Sequence, residues 1–500
     1  MRVLLVHPNS VSGGYLIPAL TSLSAVLKKA GHNVELFDTT FLDSSTVDDI
    51  QMKEKNLEFK KVNLSNYGIG KKKVNVREEF ENKIREFKPD LIAASVVSSE
   101  FDFLMSFVDI KDKFNIPILL GGIHPTVAPE ETIKEKCVDI ICIGEGEEAI
   151  VELAEKIEKE EDITKIKNLW VKHEGKIVKN QIGGLIPDLD KLPFPDWSIF
   201  DKRHLIKPFW GKVYRFGYFE MGRGCPYSCS FCVNSFLHTL YGGKGKFHRE
   251  KSVERIIEEM KHYKEKYNFN FVQFTDETML VMSKEKLQKF VEMYKKHIGL
   301  PFYMLTRPEV INEEKIKLIG SMNLCKLVGI GLETGNDKIR HDVCKKYFTN
   351  KQVIESARIL HKYNLRIATY NMIGLPYETR KDIFDTIRVN KKIKSKPCIV
   401  YFFYPFKGTP LRDLCEKEGY LDEKDTKSRP TVDTMLRMPQ ISHEELKAIR
   451  KVFPIYLRTP EFLWGIVKIC ESDSFLGKMM YSILINFFEF KFNYLEDWFV

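Results

Sequence analysis

The chain has 500 residues, too many for one ordinary hydrophobic core, so we expect two or three domains. Its 43% hydrophobic and 29% charged residues are typical of a soluble globular protein, and ten cysteines in this length do not form a disulfide framework. The net charge of +9 is spread over the chain, which favours a lysine-rich solvated surface over a nucleic-acid partner.

The beginning of the chain, MRVLLVHPNS, lacks the long apolar core and small-residue cleavage site of a signal peptide. No stretch approaches the roughly 18 apolar residues that suggest a membrane span. Three of the ten cysteines fall within eight residues, a pattern that indicates metal binding in a reducing compartment. We therefore expect a cytoplasmic protein.

Residues 1–165 alternate short apolar runs with amphipathic helical patterns such as Leu16–Lys29 and Glu147–Lys159. This alternation predicts a doubly wound parallel sheet covered on both faces, a Rossmann-like domain. The predicted strands are Val3–Val6, Val34–Phe37, Leu91–Val96, Ile118–Leu120 and Ile140–Ile143.

Residues 166–205 contain Pro187, Pro193 and Pro195 and are predicted to be a linker. Residues 206–420 return to the alternating pattern and predict a partial (β/α)6 barrel, like an incomplete TIM barrel. Its predicted strands are Tyr218–Met221, Phe271–Phe274, Phe302–Leu305, Leu327–Leu332, Ile367–Ile373 and Val400–Phe403.

Residues 421–500 have a mostly helical pattern and are apolar from residue 462 onward. We predict that this region packs on the barrel. The alternative is a peripheral helix that contacts a membrane surface or a partner.

The segment MGRGCPYSCSFCVN spaces Cys225, Cys229 and Cys232 as C-x-x-x-C-x-x-C after the first barrel strand. Three thiolates this close can each bind one iron of a 4Fe–4S cluster and leave one iron open for a small molecule. A structural zinc site, with a fourth ligand from His238 or His248, and three unrelated buried cysteines are the alternatives.

This spacing after the first strand of a partial barrel resembles the radical S-adenosylmethionine (SAM) enzymes. Four later segments resemble elements of the same family: FTDETM, GIGLETG, NMIGLPYET and YPFKGTPL. The resemblance implies a 4Fe–4S cluster that cleaves SAM to a 5′-deoxyadenosyl radical. It also implies anaerobic conditions and a reductant such as flavodoxin or ferredoxin.

The first domain resembles the cobalamin-binding domain that precedes such barrels, through HPN, GGIHPT and GEGE at the ends of the first, fourth and fifth strands and LDKLPFPDW in the linker. The resemblance implies cobalamin as a third cofactor. It also favours a methyltransferase that methylates an unactivated carbon of a small-molecule or peptide substrate.

Polar and glycine residues at the strand ends are candidates for cofactor contacts, although each has a purely structural alternative. For SAM, Asp276, Glu277 and Glu333 offer carboxylates, Arg307 offers a guanidinium group and Gly374 shapes a turn. Structural carboxylate pairs, a surface arginine and ordinary turns are the alternatives. No catalytic acid or base is identified.

In the first domain, the crevice at the strand ends is the predicted cobalamin site. Its candidate residues are Asn9, Ser95, Ser98, Gly121, Gly122, His124, Gly144 and Gly146. The stretch VHPNSVSGG lacks the D-x-H-x-x-G pattern that supplies a histidine to cobalt in many cobalamin domains, so we predict base-off cobalamin without a histidine ligand.

Three alternatives remain open at this point. They are a radical SAM cyclase or rearrangement enzyme with or without cobalamin, an enzyme with an empty first domain, and a non-catalytic iron–sulfur electron carrier or redox sensor.

Overall fold

The computed structural model describes residues 1–11, 14–42, 49–421 and 433–495. The first sheet has seven strands in the order β2-β1-β3-β4-β5-β6-β7. The strands are β1 Arg2–His7, β2 Asn33–Asp38, β3 Leu91–Ser95, β4 Ile118–Gly121, β5 Ile140–Cys142, β6 Leu169–His173 and β7 Lys176–Lys179. The helices are α1 Pro18–Lys29, α2 Asp49–Lys55, α3 Val76–Phe87, α4 Phe101–Val108, α5 Ile123–Val127, α6 Pro129–Thr132 and α7 Glu147–Glu158.

Strands β1 to β5 are parallel, and the order reverses on either side of β1, which opens a crevice at their carboxyl ends. Strands β6 and β7 lie in the stretch predicted as linker, yet they extend the same sheet: β6 pairs antiparallel with β5, and β7 pairs antiparallel with β6. Their pairing covers the edge that β5 would otherwise expose.

The second sheet has the order β16-β15-β14-β13-β12-β9-β8. Its strands are β8 Ile206–Phe209, β9 Lys212–Phe219, β12 Phe271–Phe274, β13 Phe302–Thr306, β14 Cys325–Glu333, β15 Ile367–Ile373 and β16 Cys398–Phe402. A separate short pair consists of β10 Gly222–Arg223 and β11 Arg249–Glu250. The helices are α8 Val233–Leu240, α9 Val253–Tyr267, α10 Lys284–His297, α11 Glu313–Gly320, α12 Asn350–Lys362, α13 Arg380–Lys392 and α14 Pro410–Lys417.

Six parallel strands, β9 and β12 to β16, make the partial barrel, and β8 pairs antiparallel at its edge. The fold class predicted from the sequence is therefore confirmed. The first barrel strand was predicted to reach Met221 but ends at Phe219. It ends early because the Met221 and Gly222 amides turn away to bond the Asp276 carboxylate.

The hydrophobic core is continuous between the two sheets, so the first domain packs firmly on the barrel. One core cluster joins Leu5 and Leu20 of the first domain to Phe219 of the barrel. Trp197, from the predicted linker, lies in this cluster and stacks on Tyr263 with ring centroids 4.2 Å apart.

The C-terminal region is helical as predicted, with α15 His443–Arg458, α16 Trp464–Val467 and α17 Phe475–Phe490. Helix α15 buries one face in a second core cluster that includes residues of α13 and of β16. Within the described residues, no helix is both long and apolar enough to span a bilayer.

Candidate active site

The cluster loop, Gly224–Cys232, leaves the barrel between β10 and α8. Gly224 has φ of +80°, and a Cβ there would lie 2.5 Å from the Phe247 carbonyl oxygen. A Cβ on Gly222 would meet the Arg249 carbonyl oxygen at 2.3 Å. The two glycines are required because the loop lies against the backbone of the segment that contains β11.

Two histidines brace this loop through its carbonyl groups. His238 Nε2 bonds the Cys225 carbonyl oxygen at 2.8 Å, and His248 Nδ1 bonds the Gly224 carbonyl oxygen at the same distance. Both residues were considered as a fourth zinc ligand, and each instead has a ring nitrogen engaged with the backbone.

The three cysteines of the loop have the burial that a cluster site requires. Cys225 and Cys229 are buried and Cys232 is half-buried. Burial raises the pKa of the Cys225 thiol to about 11. No set of three His, Cys, Asp or Glu side chains in the described ranges converges on a single ion. A 4Fe–4S cluster takes one thiolate per iron, so its ligands need not converge.

Arg307 lies beside this loop rather than at the surface. Its Nη1 donates to Cys229 Sγ at 3.0 Å, and its guanidinium carbon lies 3.8 Å from the centre of the Tyr227 ring. Glu309 binds the other edge of the guanidinium group. A positive charge at this distance stabilises a thiolate, so the donor set fits an anionic metal cluster.

Of the two neighbouring acidic residues after β12, Asp276 faces the backbone and Glu277 faces an open cavity. The Asp276 carboxylate accepts the Met221 and Gly222 amides, each at 2.9 Å, and burial raises its pKa to about 7. Glu277 is exposed, and its side chain has no hydrogen bond or ion pair within the described residues. Asp276 therefore orients the chain into the cluster loop, and Glu277 is free to contact a ligand.

This difference gives a prediction for the two residues. We expect Asp276→Ala to lower the iron content after anaerobic reconstitution, because the chain entering the loop loses two hydrogen bonds. We expect Glu277→Ala to keep its iron and to bind SAM more weakly by roughly tenfold or more, since a bond to a charged group is worth about 1.5–3 kcal/mol. Iron analysis and equilibrium dialysis with SAM measure the two effects. Full iron with weakened SAM binding in Asp276→Ala would contradict the assignment and support direct contact.

Glu333, at the end of β14, is buried and paired. Lys346 Nζ donates to Glu333 Oε1 and to the Gly331 carbonyl oxygen, both at 2.8 Å. A Cβ on Gly331 would lie 2.4 Å from Glu333 Oε1, so this position needs a glycine. The Glu333 carboxylate therefore forms a structural pair with Lys346, which is the alternative to a contact with SAM.

Gly374 begins the turn after β15 with φ of +79°. Its amide donates to Glu378 Oε2 at 2.7 Å, and the Leu375 amide donates to the same oxygen at 3.3 Å. Glu378 is fully buried, and burial raises its pKa to about 8. The turn predicted at Gly374 is therefore held by the Glu378 carboxyl group, which the sequence did not indicate.

A cavity of about 460 Å³ lies between the first domain and the cluster loop. Its walls come from the carboxyl ends of β3, β4 and β5, the start of α1, and the first residue of the cluster loop. Gly224, Asn234 and Glu277 form part of the barrel side. A ligand in the crevice of the first domain would therefore lie beside Gly224, where the cluster loop begins.

The structure brings most, but not all, of the predicted cobalamin contacts to this cavity. Those that line it are Ser95, Gly121, Gly122, Gly144 and Gly146.

The other three predicted contacts are absent from the cavity lining. Asn9, after β1, donates its Nδ2 to Oγ1 of Thr40, after β2, at 3.0 Å. Ser98 Oγ bonds His124 Nδ1 at 3.1 Å, and the His124 ring stacks on Phe101. Burial lowers the pKa of His124 to about 4. His124 therefore orders its turn, which is the structural alternative to a corrin contact.

Sequence reasoning missed the polar residues that join the two domains around the cavity. Arg249 binds the Glu145 carboxylate through two bonds of 2.7 and 3.0 Å, and Arg223 Nη2 lies 2.7 Å from Glu147 Oε1. Glu220 also lines the cavity, and burial raises its pKa. Glu220 comes directly after β9, so its place beside the cavity depends on the turn that follows the strand.

Comparison with known proteins follows the same two-domain division. The family model of the B12 binding domain matches residues 13–154, and that of the Radical SAM superfamily matches residues 219–389. The chain belongs to the cobalamin-dependent radical SAM enzymes. Its cofactors are a 4Fe–4S cluster, SAM and cobalamin.

Among curated relatives, an uncharacterized methyltransferase of Pyrococcus horikoshii is 26% identical over 79% of this chain and 84% of its own. The anaerobic magnesium-protoporphyrin IX monomethyl ester cyclase of Cereibacter sphaeroides is 27% identical over 84% of this chain and 65% of its own.

Solved structures share the fold. The radical SAM methyltransferase TsrM of Kitasatospora setae superposes with a TM-score of 0.61 at 18% identity, covering 84% of this chain and 76% of its own. The cobalamin-dependent radical SAM enzyme OxsB superposes with a TM-score of 0.65 at 15% identity, covering 99% of this chain and 72% of its own.

Proposed function

We propose that this enzyme transfers a methyl group to an unactivated carbon of a small-molecule or peptide substrate. The observation that carries the proposal is the cavity of about 460 Å³ that is lined by the crevice of the first domain and by Gly224 at the start of the cluster loop. A substrate placed there would meet both cofactors.

In this proposal, Cys225, Cys229 and Cys232 hold three irons of the cluster, and Glu277 contacts SAM. Ser95 and the four glycines at the sheet edge hold the corrin. When bound, these cofactors supply one electron for SAM cleavage, a carbon-centred radical and a transferable methyl group.

The protein's own contribution is to orient the reactants and limit access of water. The Arg249–Glu145 and Arg223–Glu147 pairs tie the first domain to the loop region on either side of the cavity. The Tyr241 hydroxyl accepts the Glu145 amide at 2.8 Å and closes the wall near Gly144. These contacts fix the distance between the two cofactor sites, which a radical transfer requires.

The cluster needs a low-potential one-electron donor, and flavodoxin or ferredoxin is the proposed class of partner. Dithionite or titanium citrate replaces this partner in the experiment below.

The test uses anaerobically reconstituted holoenzyme, reductant and SAM labelled in its methyl group. A methyltransferase should give S-adenosylhomocysteine and move label into the corrin fraction even without substrate. Formation of 5′-deoxyadenosine alone, with no label in the corrin, would exclude cobalamin-dependent methyl transfer.

Ring formation is the second candidate, because the cyclase similarity covers 84% of this chain. Such an enzyme would cleave SAM reductively and leave the corrin unlabelled. The same labelling experiment therefore separates the two candidates.

The cavity also bears on the lower ligand of cobalt. None of the described residues that line it is a histidine. His7 is buried beside Asp38 and His204, and burial lowers the pKa of His7 to about 4. We therefore expect electron paramagnetic resonance of bound cob(II)alamin to lack nitrogen superhyperfine splitting. Splitting that disappears in His7→Ala or His124→Ala would contradict this expectation.

A further inference from the structure

Helix α17 presents a stripe of apolar side chains that no described part of the chain covers. Ten of the sixteen large apolar side chains exposed among the described residues lie between Phe462 and Tyr494. The stripe, defined here as six of them, comprises Leu476, Met479, Ile483, Phe487, Phe490 and Tyr494. Their spacing of three or four residues places them on one face, which continues past the end of the helix.

The stripe is not needed for packing. Ile483 is 60% exposed and Phe487 is 59% exposed. The helix is attached through its opposite side, where Tyr481, Leu484 and Phe488 pack against the core. A contiguous exposed apolar patch of this kind marks an interaction surface.

Among the described residues around the stripe, the unpaired charge is positive. Between Phe462 and Tyr494, Glu471 pairs with Arg380 and Glu489 with Lys61. Asp473 lies 3.8 Å from Lys451. Three exposed lysines, Lys468, Lys478 and Lys491, form no ion pair within the described residues.

A basic cavity of about 440 Å³ adjoins the helix at the amino end of β16, the end of the barrel away from the cluster. Phe488 and Lys491 of the C-terminal segment form part of its wall. Its other basic residues are Lys391, Lys394, Lys396, Arg450 and Arg458, and its one acidic residue, Glu58, is paired with Arg450 at 2.8 Å.

The stripe and the basic cavity meet at Lys491, one residue beyond Phe490 of the stripe and three beyond Phe488 of the cavity wall. An apolar face edged by unpaired lysines is complementary to an anionic membrane surface, in which negatively charged headgroups cover the hydrocarbon.

We propose that α17 docks the enzyme on an anionic lipid membrane, with the stripe in the hydrocarbon boundary and the basic cavity on a phosphate headgroup. The helix lies in the plane of the surface. The interaction is independent of the methyl-transfer chemistry, because it uses the opposite end of the barrel.

The test is flotation of the full chain with vesicles of phosphatidylcholine alone or mixed with phosphatidylglycerol. We expect binding to the mixed vesicles that weakens as salt is added. The double variant Lys478→Ala/Lys491→Ala should weaken vesicle binding roughly thirtyfold, because each lysine near an anionic surface contributes about 1 kcal/mol. Ile483→Ser/Phe487→Ser should weaken it roughly tenfold or more through lost apolar burial.

Tyr347→Ser, at an aromatic side chain that is 63% exposed outside the segment, is the matched control and should bind like the unchanged protein. SAM cleavage by every variant checks folding. Three results would overturn the proposal: no binding to phosphatidylglycerol vesicles, binding of inorganic phosphate in the cavity without vesicle binding, or a dimer in light scattering that Ile483→Ser/Phe487→Ser converts to monomer.

Discussion

Replacing any one of Cys225, Cys229 or Cys232 with alanine is expected to abolish SAM cleavage and to leave the chain folded. Two thiolates cannot keep a cluster with one open iron, and the loop is braced independently through its carbonyl groups by His238 and His248. Anaerobic iron analysis and chromatography of 5′-deoxyadenosine measure the effect.

Cys344→Ala is the matched control for this series. Cys344 is fully buried, and its carbonyl oxygen accepts the Ser230 amide within the same region. Its removal should cost about 1 kcal/mol of stability and leave iron and SAM cleavage in place. Cleavage at near wild-type rate in Cys229→Ala, or zinc in place of iron, would refute the cluster assignment.

Filling the crevice of the first domain is expected to remove cobalamin selectively. A Cβ at Gly121 would have only ordinary contacts, the nearest being the Cys142 Cβ at 3.6 Å, so Gly121→Leu should fold. The longer side chain would occupy the cavity that Gly121 lines. Overpacking typically costs about 1–3 kcal/mol, so cobalamin binding should fall about fivefold to over a hundredfold.

Corrin absorbance per chain after desalting measures this loss, and iron content shows whether the barrel is intact. Gly70→Leu is the control, because a Cβ on this exposed glycine meets nothing within 4 Å. A Gly121→Leu protein that keeps its full complement of cobalamin would place the cofactor elsewhere.

The sequence was most informative where function depends on local spacing. The eleven predicted strands all appear, with ends that differ by a few residues, because alternating apolar runs bounded by glycine and polar residues are local signals. The C-x-x-x-C-x-x-C spacing belongs to one loop, so it indicates candidate cluster ligands without knowledge of the fold.

Predictions for single polar residues were less complete, because a side chain's role depends on which partner it reaches. Asp276 and Glu277 are neighbours in the sequence, but in the loop after β12 the first binds backbone amides and the second lines the cavity. Arg307 reaches Cys229 from 78 residues away, a contact that only the closed barrel creates.

The sequence by itself determined the order of domains, the candidate cluster ligands and the glycine-rich edge of the first sheet. Each of these features depends on residues that lie close together along the chain. Only the tertiary structure decided that the two domains share one cavity, that Glu145 and Glu147 pair with arginines of the barrel, and that the α17 stripe is left uncovered. These features depend on how separately folded surfaces pack, which periodicity and spacing do not encode.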